Sequence, residues 1–156
     1  MPSGWTGSVL IDTNVLVYAV DRPEHGKSRR ASEVLEAIAK LRAGVINSQI
    51  VTEFYAVTTK RRPGGSTLDA ATAARWVNRW MAMFEFRVIT EMISREAVRG
   101  AREHQMNIYD AQVWAAAKLG DIGLVLTEDT QNSDLIEGVR YVDPFAATFE
   151  LSQIGL

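Results

Sequence analysis

Val9-Leu10-Ile11-Asp12-Thr13-Asn14 is the stretch on which the fold turns. Three apolar residues in a row, two of them β-branched, read as a short strand buried on both faces. A carboxylate and two small polar side chains follow at once. A strand buried on both faces belongs in a mainly parallel sheet covered by helices. In such sheets ligands bind beyond the carboxyl ends of the strands. Asp12 therefore stands where chemistry is expected.

Outward from this strand the pattern alternates. Residues 27–43 predict a helix, with Ala31, Val34, Leu35, Ile38 and Leu41 at helical spacing. Val45-Ile46 is a second short strand. Residues 48–60 predict a helix stopped by Pro63-Gly64-Gly65. Residues 67–83 predict another, with Ala70, Ala74, Val77, Met81 and Phe84 along its apolar stripe. Residues 86–89 read as a strand, and residues 94–104 and 108–119 as helices, the second closed by Gly120. Leu124-Val125-Leu126 and Arg140-Tyr141-Val142 complete the strands. No repeat or low-complexity segment interrupts the series. The 156 residues fit a single α/β domain with a core over about residues 9–145.

Composition narrows the function classes. The chain is 47% hydrophobic, enough for a core without staples. It has no cysteine, which removes disulfides and thiolate metal sites and fits a reducing cytoplasm. No stretch of about 18 apolar residues is present to span a bilayer. The opening Met-Pro-Ser-Gly-Trp lacks the basic and apolar regions of a secretory signal, so a cytoplasmic protein is expected. With a formal net charge of −2, bulk charge cannot hold nucleic acid, and local basic patches or bound cations must do so. His25 and His104 show no ligand spacing and read as surface residues.

Four carboxylates share one placement. Asp12 follows the first strand, and Asp129 follows Leu124-Val125-Leu126 after Thr127 and Glu128. Taken singly, each reads more readily as a turn or helix-cap residue. Glu53 falls between Ile50 and Val57 on the helical wheel, on the buried arc. A lone carboxylate there is costly to desolvate, a cost that a cation relieves. The alternative is a glutamate at the stripe's edge that reaches solvent or an arginine. Asp110 has Val113, Trp114 and Ala117 at i+3, i+4 and i+7. It also suits the third position of a helix capped by Asn107, which does not exclude a metal. Hard oxygen ligands select magnesium or manganese, and magnesium takes only one or two carboxylates directly.

At these residues the sequence resembles the PIN-domain proteins. The matching pieces are Leu10-Ile11-Asp12-Thr13-Asn14, Ser48-Gln49 through Glu53-Phe54, Tyr109-Asp110-Ala111 and Leu126-Thr127-Glu128-Asp129. The stretch Gly138-Val139-Arg140-Tyr141-Val142-Asp143-Pro144-Phe145 is similar to the closing segment of bacterial VapC-type toxins. The resemblance implies a three-layer α/β/α sandwich with a short, mainly parallel sheet. It implies a metal-dependent endoribonuclease acting on single-stranded or structured RNA, with Mg2+ or Mn2+ as cofactor. It further implies a toxin with a cognate antitoxin partner, assembled as a homodimer. Residue by residue, Asp12, Glu53, Asp110 and Asp129 match the acidic quartet, with Asp12 and Asp110 as the direct metal ligands. Thr13, Asn14 and Thr127 match the supporting polar residues. Glu128 occupies a position that the family leaves variable.

Two other readings compete. A haloacid-dehalogenase-type phosphatase needs a second carboxylate two residues after the first, where this chain has Asn14. A non-catalytic RNA-binding module would draw on Lys60-Arg61-Arg62 and on Arg75 and Arg79 beside Trp76 and Trp80. Tryptophans at i and i+4 read more readily as packing residues of a core or dimer seam. In the nuclease reading, the Lys60, Arg61 and Arg62 loop guides RNA toward the acids.

Overall fold

A computed structural model describes residues 7–21, 26–130 and 134–155. Six helices and six strands form an α/β/α sandwich. The order is β1 (Val9–Ile11), α1 (Thr13–Val20), α2 (Gly26–Lys40), β2 (Gly44–Asn47), α3 (Ser48–Thr59), α4 (Ala70–Met83), β3 (Glu85–Arg87), α5 (Glu91–His104), α6 (Ile108–Leu119), β4 (Leu124–Leu126), β5 (Leu135–Ile136) and β6 (Val139–Val142), with a short 3-10 helix at Leu151–Ile154. The sheet runs β3-β2-β1-β4-β6-β5. Every neighbouring pair is parallel except β5 with β6.

This order places the functional edge. From β1 the chain winds outward through β2 to β3, then returns to lay β4 against the other side of β1. The winding reverses between β1 and β4, which is the switch point where such sheets open a crevice. Asp12 leaves β1 there and Thr127 leaves β4 there. Val9, Leu10 and Ile11 are at most 1% exposed, so the strand that carries Asp12 is fixed by core packing from both faces.

Several expectations shift. Helix α1 begins at Thr13 with Asp12 as its N-cap; its eight residues offer too little periodicity to announce themselves. Helix α2 ends at Lys40, and Leu41 is exposed. Arg42 adopts a left-handed φ of 53°, and Arg42 N–H and Ala43 N–H return to the carbonyls of Ala39 and Ile38. That paired closure terminates the helix without glycine. On α4 the buried face carries Ala73 and Trp80, with Phe84 just beyond, whereas Ala70, Ala74 and Met81 face water. The apolar stripe is rotated toward the tryptophans, which stack at 4.9 Å and pack on Phe54 and Phe84. Trp80 is therefore core and unavailable to stack a base. Strand β3 starts one residue before the expected 86–89 and ends two residues sooner, and β5 is too short and half-exposed to stand out.

Helices α5 and α6 pack closely because Gly100 faces the Trp114 ring. A Cβ at position 100 would lie 2.3 Å from Cζ3 and 2.7 Å from Cε3 of that ring. Trp114 cannot yield easily: it is fully buried, and its Nε1 donates to Ile136 O at 3.1 Å. The Arg99 and Lys118 cations lie 5.4 and 5.1 Å from its ring centroid. Gly100→Ala is expected to destabilise the protein by about 1–2 kcal/mol. Overpacking costs about 1–3 kcal/mol and outweighs a helix-propensity gain of up to about 1 kcal/mol. A urea midpoint that falls at constant slope is the signature.

Candidate active site

The acidic site grows from β1 outward. Asp12 N–H donates to Leu126 O at 3.0 Å, so the residue is still tied to β4. Its Oδ1 accepts from Thr13 N–H at 2.8 Å as it caps α1, and its Oδ2 accepts from the Thr127 hydroxyl at 2.9 Å. Helix α1 then points Thr13 and Asn14 in two directions. The Thr13 hydroxyl donates to Glu53 Oε2 at 2.9 Å. Asn14 Nδ2 donates to Thr127 Oγ1 at 2.9 Å and to Asp129 Oδ2 at 3.3 Å, and Asn14 Oδ1 accepts Glu128 N–H at 3.2 Å. Asp129 N–H closes the loop on Thr127 Oγ1 at 3.0 Å.

Glu53 arrives from the second turn of α3, whose N-cap Asn47 accepts Ile50 N–H at 3.0 Å. The buried face of α3 is Ile50, Val51, Phe54 and Thr58; Val57 is exposed, so Glu53 sits at the edge of the stripe. It is held from both sides, because Gln49 Nε2 donates to Oε1 at 2.8 Å. Gln49 also donates to Tyr109 O at 3.1 Å and accepts Gln112 Nε2 at 2.7 Å. Helix α6 is thereby tied to α3 in the turn that carries Asp110. Asp110 is the third residue of α6, capped by Asn107.

Charge shows that these groups face one another. The Asp12 carboxyl is pushed up to about 6, first by burial, with the Glu53 and Asp110 carboxylates adding to the rise; the bonds from Thr127 and Thr13 oppose it. The Tyr141 hydroxyl on β6 is buried with no hydrogen-bond partner. Burial and then the charges of Asp110 and Asp12 raise its pKa. An acid held well above its ordinary range beside two further acids, with an unpartnered hydroxyl nearby, fits a hard cation with oxygen ligands.

Asp12, Glu53 and Asp129 are thus joined through Thr13, Asn14 and Thr127 at the carboxyl ends of β1 and β4, and the charge of Asp110 reaches Asp12. Among the described residues, the tightest cluster of ligand-type atoms is elsewhere. Glu103, His104 and Glu137 bring one atom each within 4.8 Å of one another beside the β5–β6 turn. Arg99 and Lys118 already bond to Glu137, and both also bond to Glu96, whose carboxyl falls to about 2, chiefly through Arg99. That cluster is a network of ion pairs. His104 belongs to it, edge-on to Trp114 at 5.6 Å, and is not the free surface residue expected. His25 lies outside the described residues.

Lys60, Arg61 and Arg62 are exposed beyond the end of α3, and Pro63-Gly64-Gly65 forms a turn, with Gly64 and Gly65 at φ of 92° and 99°. Sequence reasoning left Gln49, Gln112, Tyr18 and Lys27 without a role. Gln49 carried a signal, four residues before Glu53 on one helix. Lys27, 101 residues from its partner Glu128, carried none.

No curated protein sequence matches the chain. Solved structures do. A toxin–antitoxin complex from Klebsiella pneumoniae is 22% identical, covering 88% of this chain and 98% of that one, with a TM-score of 0.60. A DNA-bound VapBC from Salmonella typhimurium is 17% identical over 88% and 98%, with a TM-score of 0.64. Mycobacterium tuberculosis VapC20, a sarcin–ricin loop cleaving toxin, is 12% identical over 76% and 87%, with a TM-score of 0.62. At these identities the likeness is one of fold. A family model described as PIN domain matches residues 9–136, most of the sequence and every acid of the crevice, and the chain belongs to that family.

Proposed function

We propose that this single domain is a metal-dependent endoribonuclease that hydrolyses RNA phosphodiesters, and the toxin of a toxin–antitoxin pair. The observation that carries the nuclease reading is the half-buried Asp12 carboxylate, set by Thr13 and Thr127 at the switch point of the sheet and facing the charges of Glu53 and Asp110. Asp12 and Asp110 would hold Mg2+ or Mn2+. Bound there, the ion supplies polarisation of the phosphodiester and acidification of water. Thr127 and Thr13 N–H fix the Asp12 oxygens, so its carboxylate is set before substrate arrives. Thr13 and Gln49 fix both oxygens of Glu53, and Asn14 fixes Asp129. Glu53 and Asp129 are then oriented acceptors for the protons of water at the crevice. Among the described residues no histidine lies in the network, and the mechanism uses none.

The toxin role rests on fold relatives that are toxins or toxin–antitoxin complexes. They support an antitoxin partner; a homodimeric assembly and a cytoplasmic setting are further parts of the proposal. Among the described residues no helix is long and apolar enough to cross a membrane. The test is cleavage of labelled RNA by purified protein with Mg2+ or Mn2+. Cleavage that stops with EDTA and returns with either metal supports the reading; cleavage unaffected by chelation overturns it.

The exposed Lys60-Arg61-Arg62 loop is an outer RNA contact in this reading. It stands about 10 Å further along α3 than Glu53 at 1.5 Å per residue, so it would hold RNA away from the reacting phosphate. Alanine at all three positions is expected to weaken RNA binding and flatten its salt dependence by about 0.7 per lost contact, with metal affinity unchanged. An unaltered salt slope removes the loop from the RNA path.

A further inference from the structure

An acidic crevice that takes a polyanion needs cations beside it, since the whole chain carries a net charge of −2. Six of the sixteen described cations are paired with glutamates away from the crevice. Arg29, Lys40 and Arg95 pair with glutamates one turn away, Arg87 binds Glu85 and Gly120 O, and Arg99 and Lys118 serve the network at the β5–β6 turn. Lys27 is different. Its ammonium donates to Glu128 Oε1 at 2.9 Å, and Glu128 stands between Thr127 and Asp129 in the crevice wall. The Tyr18 hydroxyl donates to the same oxygen at 3.3 Å, while Glu128 Oε2 has no partner. The ammonium also lies over the Tyr18 and Phe145 rings, 4.9 and 5.5 Å from their centroids, which themselves meet edge-on at 5.0 Å. The Lys27 side chain is 43% exposed. One turn further along α2, Arg30 lies over Phe149 at 5.7 Å. Residues three apart on a helix are neighbours. Two cations therefore follow one another along α2 away from the acids, each backed by an aromatic ring.

We propose that Lys27 and Arg30 form a phosphate-binding strip that positions the RNA chain at the acidic crevice, with Glu128 holding Lys27 in place until a phosphate replaces it. The inference rests on the nuclease reading and names how its substrate is held. An ammonium resting on aromatic rings is constrained without being enclosed, so it can exchange a carboxylate for a phosphate with little movement. Glu128 would then be a competitor of the RNA backbone. A purely structural ion pair has no such competitor, and the two readings predict different signs.

The test measures binding of a short fluorescein-labelled single-stranded RNA, with magnesium, in the Asp110→Asn background as a function of salt. Lys27→Met and Arg30→Met are each expected to weaken binding on the order of ten-fold at low salt, the scale of one charge-assisted hydrogen bond. Each should lower the salt slope by about 0.7. Lys27→Arg should keep both affinity and slope. Glu128→Gln should tighten binding, and the gain should vanish when Lys27 is methionine. If Lys27→Met and Glu128→Gln shift affinity in the same direction, or if Lys27→Met with Arg30→Met leaves the slope unchanged, the strip is overturned. The nuclease reading is scored separately, on cleavage by the chain with Asp110 intact. Slope losses at Lys27 and Arg30 in a protein that never cleaves would support the strip and sink the nuclease reading.

Discussion

Asparagine at position 110 is expected to lower RNA cleavage by at least about 10²–10³-fold, the scale at which one preorganised electrostatic group acts, while the protein stays folded. Asp110 is the third residue of α6, where the Asn107 cap and the apolar face of Val113, Trp114 and Ala117 fix the helix independently. The substitution keeps shape and removes one charge facing Asp12. Its cost in helix-dipole energy is about 0.3–1 kcal/mol, too little to unfold a domain of this size. The control is Glu36→Gln on the exposed face of α2, where the carboxylate pairs only with Lys40 and activity should not change. Cleavage at the parental rate by the Asp110→Asn protein, in magnesium and at equal concentration, would remove Asp110 from the site. Folding is checked by thermal midpoint, and an equal loss in Glu36→Gln would point to a global effect instead.

The acids were legible in the sequence because their positions follow from element ends. Asp12 and Asp129 come just after short apolar runs that read as buried strands, and Asp110 comes three residues after a capping asparagine. The helical wheel puts Glu53 on the buried arc, between Ile50 and Val57. Val57 is exposed, so the arc is narrower than supposed, and Glu53 stays at its edge because Thr13 and Gln49 hold it. The rotated stripe on α4 has a different origin. Trp76 and Trp80 bury more area than the alanines and Met81 that shared the competing face, and area decides which face turns inward. What remained illegible depends on contacts between distant parts of the chain. The Lys27–Glu128 pair joins the start of α2 to the loop after β4, and Tyr141 comes near Asp12 and Asp110 only through the parallel register of β4 and β6. No local periodicity encodes either. Helix α1 escaped for the opposite reason: its eight residues are so apolar that strand and helix patterns both fit.

Metal-free protein is expected to lose stability as pH rises from about 4 to about 6, and added Mg2+ or Mn2+ to restore it above that range. The Asp12 carboxyl is held at about 6 in the folded chain, against 3.8 ordinarily. A folded state that holds a proton more tightly than the unfolded one is favoured while both are protonated. That advantage is complete below about pH 4 and disappears as pH climbs through about 6. A shift of about two units corresponds to about 3 kcal/mol at 1.36 kcal/mol per unit. At neutral pH the folded chain therefore carries an ionised Asp12 that burial and its neighbours Glu53 and Asp110 disfavour. A divalent cation that binds only the folded state relieves this and adds its own binding energy. Because proton and metal compete for the same carboxylate, metal affinity should fall as pH drops below about 6. Asp12→Asn removes the ionisable group, so its metal-free form should be more stable than the parent at neutral pH and should lack the loss that Asp12 causes between about pH 4 and 6. Its response to metal should be much smaller. Urea midpoints at several pH values, with and without metal, decide the matter. A parent whose stability rises from pH 4 to 6 in EDTA would show that Asp12 is not the strained acid, and an undiminished metal response in Asp12→Asn would place the cation elsewhere.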